Sequence, residues 1–157
     1  KLGLDTGFDS ISDKNSISLL SRLMDRLNSE ASLPRLIVFN LNPKMNSEIM
    51  TLIGCFQSGE AKGKIQYGAA WWFLDNKVGM EKHLEDLCAT GHIGAFVGML
   101  TDSRSFVSYP RHEYFRRIFC NLIGKWVEEG EYPNDKEYLE KIVRGVSYEN
   151  AKNYFKF

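Results

Sequence analysis

Two side chains of opposite charge stand two residues apart where an apolar run stops: Asp102 and Arg104, following Phe96-Val97-Gly98-Met99-Leu100. The run reads as a short buried strand. A carboxylate at the carboxyl end of such a strand can ligate a metal, act as a general base, or do both in turn. A neighbouring guanidinium can grip a substrate carboxylate through two parallel hydrogen bonds. α/β folds, barrels above all, keep their chemistry at this end of the strands, because the strand-to-helix loop there is anchored rigidly and open to ligand. The spacing also admits a plainer reading, in which Asp102 and Ser103 begin a turn and Arg104 lies in water.

Two further strands lead up to this one. Leu36-Ile37-Val38-Phe39 is apolar without alternation, as in a strand covered on both faces, and Asn40 and Asn42 close it. Lys64 to Phe73 is bulky at both ends and small at Gly68-Ala69-Ala70, where a backbone or a ligand can come close, and it finishes in Trp71-Trp72. Adjacent residues on a strand point to opposite faces, so at most one of the two tryptophans should face a pocket. Before and between the strands lie helical stripes: Ile17, Leu20, Leu23, Met24 and Leu27; then Ile49, Met50, Leu52, Ile53 and Phe56; then Met80, Leu84, Leu87 and Cys88, stopped by Gly91. The alternation calls for right-handed crossovers and a parallel sheet, which would bring the ends of all three strands to one rim. Pro110 then opens a long helix with Phe115, Ile118, Phe119, Leu122, Ile123 and Trp126 inward, ended by Gly130, and shorter helices follow over Asp135 to Val146 and Tyr148 to Phe157. The expected organisation is one α/β domain: a turn-rich loop over 1–12, strand-helix units over 13–107, and C-terminal helices over 108–157.

Composition narrows the function classes. At 157 residues and 43% hydrophobic, the chain suits one domain with a real core. Lys plus Arg and Asp plus Glu each total 20, so no net field would recruit nucleic acid or an anionic membrane. No apolar stretch is long enough for a membrane span, and Lys1 to Asp13 lacks the basic-then-apolar order of a leader, so a soluble cytoplasmic setting is expected. Cys55, Cys88 and Cys120 are scattered over helical segments and read as reduced core thiols rather than a zinc or catalytic set. His83 and His92 read as solvated surface residues; His112 follows the Asp102 loop closely enough to take part in a site. No metal-binding histidine pattern, phosphate loop or nucleophile elbow is visible.

Several stretches taken together resemble the C-terminal third of uronate (glucuronate) isomerases. They are Gly7-Phe8-Asp9-Ser10, Lys64-Ile65-Gln66-Tyr67-Gly68 with Trp71-Trp72-Phe73, the stretch from Phe96 to Phe106, Arg111-His112-Glu113-Tyr114-Phe115-Arg116-Arg117, and Asn150-Ala151-Lys152-Asn153-Tyr154-Phe155. That resemblance implies the C-terminal part of a TIM (β/α)8 barrel of the amidohydrolase-like type, here with three parallel strands followed by C-terminal helices. It also implies interconversion of D-glucuronate with D-fructuronate, or D-galacturonate with D-tagaturonate, by metal-assisted proton transfer. By the same resemblance, Asp102 corresponds to the metal-ligating aspartate after the last barrel strand and a proton acceptor. Arg104 corresponds to the arginine on the uronate, and Trp71 and Trp72 to pocket-lining tryptophans, Trp72 foremost. The cofactor implied is a divalent metal, zinc for preference. The partners implied are a small uronate, the missing N-terminal part of the same polypeptide, and further copies in a homo-oligomer; nucleic acid and membrane are not among them.

The family's His-x-His pair lies upstream of anything in this chain, and three strands do not close an eight-stranded barrel. The chain alone is therefore expected to be inactive and prone to self-association. An amidohydrolase-type metal hydrolase on the same barrel, or a non-catalytic α/β scaffold, are the competing readings.

Overall fold

The computed structural model describes residues 10–12, 14 and 16–157, so the loop expected over 1–12 lies mostly outside the described residues. Helix α1 spans Ile17–Ser29 and buries Met24 completely, with Ile17, Leu20 and Leu27 packed partly against the core. Leu23, expected inward, is 55% exposed. Strand β1 (Leu36–Val38) pairs in parallel with β2 (Ile65–Tyr67), Leu36 opposite Ile65 and Val38 opposite Tyr67. Helix α2 (Asn46–Gly54) connects them, entered through a short 3-10 turn whose cap, Asn42, accepts the Lys44 N–H. Helix α3 (Lys77–Thr90) follows β2 and packs against both α2 and the long helix α4 (Pro110–Glu128). Gly130, at φ +75, ends the run of α4 as expected.

The third expected strand is absent among the described residues. The sheet has two strands, and residues 96–105 have no regular structure. Side chains take the carbonyls that a ladder would have used: Gln66 Nε2 donates to the Ala95 carbonyl at 3.0 Å, and Asn150 Nδ2 to that of Phe96 at 2.8 Å. Gly98 then turns left-handed at φ +84, and a Cβ there would lie 2.2 Å from the Val146 carbonyl oxygen. An apolar run that reads as a strand is thus held in place by amide side chains and close backbone packing instead of by ladder bonds.

The C-terminal segments make this clamp. Helix α5 (Lys136–Arg144), capped by Asp135, leads through a π-helical turn (Gly145–Glu149) into α6 (Asn150–Phe155). The Tyr154 hydroxyl donates to the Lys64 carbonyl at 2.9 Å, tying α6 to the start of the sheet. The core lies between the strand pair, α2, α3 and α4, with Tyr67, Met80, Leu84, Phe96 and Phe119 among its most buried members. No described helix is long and apolar enough to cross a membrane.

Candidate active site

Beyond the carboxyl end of β2, the chain must pass over the Phe39 ring. Gly68 makes this possible: a Cβ there would fall 2.4 Å from that ring. Ala69 and Ala70 are buried, Trp71 is extended, and Trp72 turns left-handed at φ +52 into a 3-10 turn ending before Asp75. That left-handed residue cancels the alternation expected of adjacent strand residues. Both indoles therefore line one cleft, with ring centroids 5.8 Å apart at 69°. The cleft encloses about 950 Å³.

Its opposite wall is the loop after Gly98. Asp102, also left-handed at φ +46, accepts a hydrogen bond at Oδ2 from the Trp71 indole N–H. Two non-glycine residues in this region of backbone space cost of order 1–3 kcal/mol each, and such strain persists only where surrounding contacts enforce it. The loop is fastened on itself by the Ser103 and Ser108 hydroxyls at 2.7 Å and by the Ser105 N–H donating to Ser103 Oγ. The turn expected from Asp102 and Ser103 thus exists, within the wall of the cleft. Arg104 is exposed, lines the same cleft, and has no hydrogen bond or ion pair among the described residues. The structure therefore brings together Asp102, Arg104, Trp71 and Trp72; Asn40 and Asn42, expected on the same rim, are buried elsewhere.

Three cleft residues were not singled out as a group by sequence. Asp75 and Arg111 form an ion pair across the cleft, 36 residues apart, and His112 lies beside them. Asp75 Oδ1 and Arg111 Nε are buried with no partner. Burial lowers the His112 pKa, and the Arg116 charge adds to the effect.

Away from the cleft lining, Asn40, Asn42, Asn46, Tyr67 and Asp86 form a buried polar network. Asn40 Nδ2 donates to Asn46 Oδ1 at 2.7 Å, the Tyr67 hydroxyl to the same oxygen at 2.6 Å, and Asn46 Nδ2 to Asp86 Oδ2 at 3.0 Å. His83 corrects the surface reading. It is 2% exposed, with Nε2 at 2.7 Å from the Gly68 carbonyl and its ring against Tyr67 and Phe96. A carbonyl only accepts, so Nε2 carries the proton. Burial pushes the His83 pKa down to about 4, against smaller opposing effects of the Gly68 bond and the Asp86 charge. The sequence contains the signal: His83 falls three after Met80 and four before Leu87, on their face of α3. Desolvation likewise raises the Tyr67 hydroxyl to about 12. The core setting expected for the cysteines is corrected too, since Cys55 and Cys120 are exposed and Cys88 is half-buried.

Among the described residues, no three His, Cys, Asp or Glu side chains gather as metal ligands. Asp102 offers one carboxylate and Asp75 is held by Arg111, so the side chains present do not make up a metal centre.

Two parallel strands, the second leading past Gly68 to a cleft lined by an aspartate, an arginine and two indoles, make an α/β architecture with a candidate ligand site beyond the end of β2. The sequence pattern of glucuronate isomerase matches residues 1–155, and the chain belongs to that family. A uronate isomerase from Clostridium acetobutylicum is 58% identical over 155 residues, covering 99% of this chain and 33% of the relative. One from Bacillus pumilus is 54% identical over 157 residues, covering 100% and 33%. The crystal structure of uronate isomerase from Thermotoga maritima superimposes with a TM-score of 0.82 at 32% identity, covering 96% of this chain and 32% of that one. The chain spans about a third of the length of the curated relatives it matches.

Proposed function

We propose that this chain is the C-terminal, strand-end part of a longer cytoplasmic uronate isomerase built on a TIM barrel, which interconverts D-glucuronate with D-fructuronate and D-galacturonate with D-tagaturonate. The observation that carries the reading is the convergence of Asp102, Arg104, Trp71 and Trp72 on one cleft, within a chain that matches the family almost end to end. Arg104, free of protein partners, receives the C6 carboxylate of the open-chain sugar in a bidentate pair. The indoles pack on its apolar C–H face and limit water.

Asp102 then does the proton work. With Oδ2 occupied by the Trp71 N–H, Oδ1 takes the proton from C2, and the C–H electron pair becomes the C1=C2 bond of an enediol. Return of a proton to C1, with loss of the O2–H proton and gain of one at O1, gives the ketone. Asp102 would also give a divalent cation, zinc for preference, one carboxylate ligand, the others coming from outside this chain. The remainder of the polypeptide and further copies of it are the proposed partners. The large apolar side chains left exposed, such as Leu19, Phe106 and Val107, support this.

The test compares D-glucuronate isomerisation by these 157 residues alone and by the same chain joined to the preceding two thirds of a uronate isomerase. Turnover in the joined polypeptide only is expected. Uronate turnover by the short chain alone would overturn the claim that the site is shared. Hydrolysis of esters or amides, with uronates untouched, would replace isomerase by hydrolase.

A further inference from the structure

We infer that Asp75 and Arg111 are a positioning pair that sets the spacing between the tryptophan wall and the Asp102–Arg104 wall of the cleft. The inference rests on the isomerase reading for its kinetic consequence only.

One loop runs from Gly68 to Asp75 and carries Trp71 and Trp72; the other runs from Gly98 to Arg111 and carries Asp102 and Arg104. Each contains a left-handed non-glycine residue that would relax if its loop were free. Two rungs join the loops: the Trp71 indole to Asp102, and Arg111 to Asp75. The first rung uses the carboxylate that accepts the proton, so its strength changes during turnover. The second uses charges away from the reacting carbon and keeps the walls in register throughout.

Its partners stand at the rigid ends of the two loops. The Asp75 N–H donates to the Trp72 carbonyl at 3.0 Å, and the adjacent Asn76 caps α3 by accepting the Gly79 N–H. Gly79 sits so close to this turn that a Cβ would lie 2.1 Å from the Leu74 carbonyl oxygen. Arg111 lies in the first turn of α4, which the stacked, buried rings of Phe115 and Phe119 anchor. The pair is a poor device for stability, because Asp75 Oδ1 and Arg111 Nε are buried unpaired. Its placement serves geometry: both residues line the cleft, and neither needs to touch the reacting atoms.

The experiment uses the longer polypeptide, with Asp75→Asn, Arg111→Met, the double variant and Arg111→Lys, tryptophan being 15N-labelled at the indole. Each of the first two should lower kcat on D-glucuronate by about 10–100-fold with KM changed little, as expected of a small misplacement. The double variant should be no worse than either single, and Arg111→Lys should recover part of the loss. The Trp71 indole N–H resonance, assigned through Trp71→Phe, should move towards that of a free indole in Arg111→Met. Additive losses, or an indole resonance that stays in place, would overturn the pair's role. If the unsubstituted polypeptide leaves uronates untouched, the isomerase reading fails and the resonance alone decides the inference, moved in support or unmoved against. If Arg111→Met does not fold, Asp75→Asn, which removes the same ion pair from its other side, is read in the same way.

Discussion

Around Asn46, five buried polar residues satisfy one another: a single carboxamide takes protons from Asn40 and Tyr67 and gives one to Asp86. Around Asp102 and the tryptophans beyond β2, an aspartate and a tryptophan hold left-handed backbone, an arginine has no partner, and an ion pair leaves two buried atoms unpaired. Each region sets an aspartate beside an aromatic side chain with a polar edge. In the network, polar capacity is spent inside the protein and specifies one arrangement of β1, β2, α2 and α3. In the cleft, capacity is withheld from the protein and is available to a ligand. Stability and activity should therefore separate when the two regions are altered.

The largest effect is expected from Asp102→Asn in the longer polypeptide. Its kcat on D-glucuronate should fall by about 10²–10⁴-fold. Its urea midpoint should scarcely move, since asparagine tolerates left-handed backbone as aspartate does. A loss of stability comparable with the loss of rate would break the contrast.

Asn46→Leu should do the reverse. Leaving the Tyr67 hydroxyl proton without an acceptor and Asp86 Oδ2 without its donor should together cost about 3 kcal/mol in equilibrium unfolding, while activity per folded molecule is kept. Turnover numbers that collapse along with stability would show that the network belongs to the site.

The pH response sharpens the same line. The folded chain holds His83 neutral down to about pH 4, whereas an unfolded imidazole protonates near 6.5. The unfolded state binds more protons in that window, so stability is complete above pH 6.5 and falls as pH drops towards 4, by up to about 3 kcal/mol. Unfolding at pH 7 and pH 4.5, repeated with His83→Gln, isolates this part of the slope; identical slopes in the two proteins would exclude it.

The smallest effect should come from Trp72→Asn. Relief at a residue with φ +52 offsets the loss of its ring contacts, leaving stability within about 0.5 kcal/mol while KM for the uronate rises. Marked destabilisation would make Trp72, which is 44% exposed, a core residue after all.

Much of this was legible in the chain. Periodicity located α2, α3 and α4, and an unbroken apolar run marked β1, because burial of a stripe or of both faces writes itself into residue order. The Asp102–Arg104 pair stood out because charge halts an apolar segment there. The run from Phe96 to Leu100 misled because hydrophobicity reports burial and not the partner of each carbonyl: side chains of Gln66 and Asn150 occupy the places a neighbouring strand would have taken.

Residue types and their order by themselves determined the α/β alternation, the family and the first four candidates for the site. Tertiary structure alone decided that Trp71 and Trp72 share one cleft, that the His83 ring meets the Gly68 carbonyl, and that Asp75 meets Arg111. The physical reason is the same in each case. A left-handed turn at Trp72, the approach of α3 to the backbone beyond β2, and two loops closing across 36 residues depend on contacts between elements, which local spacing does not encode.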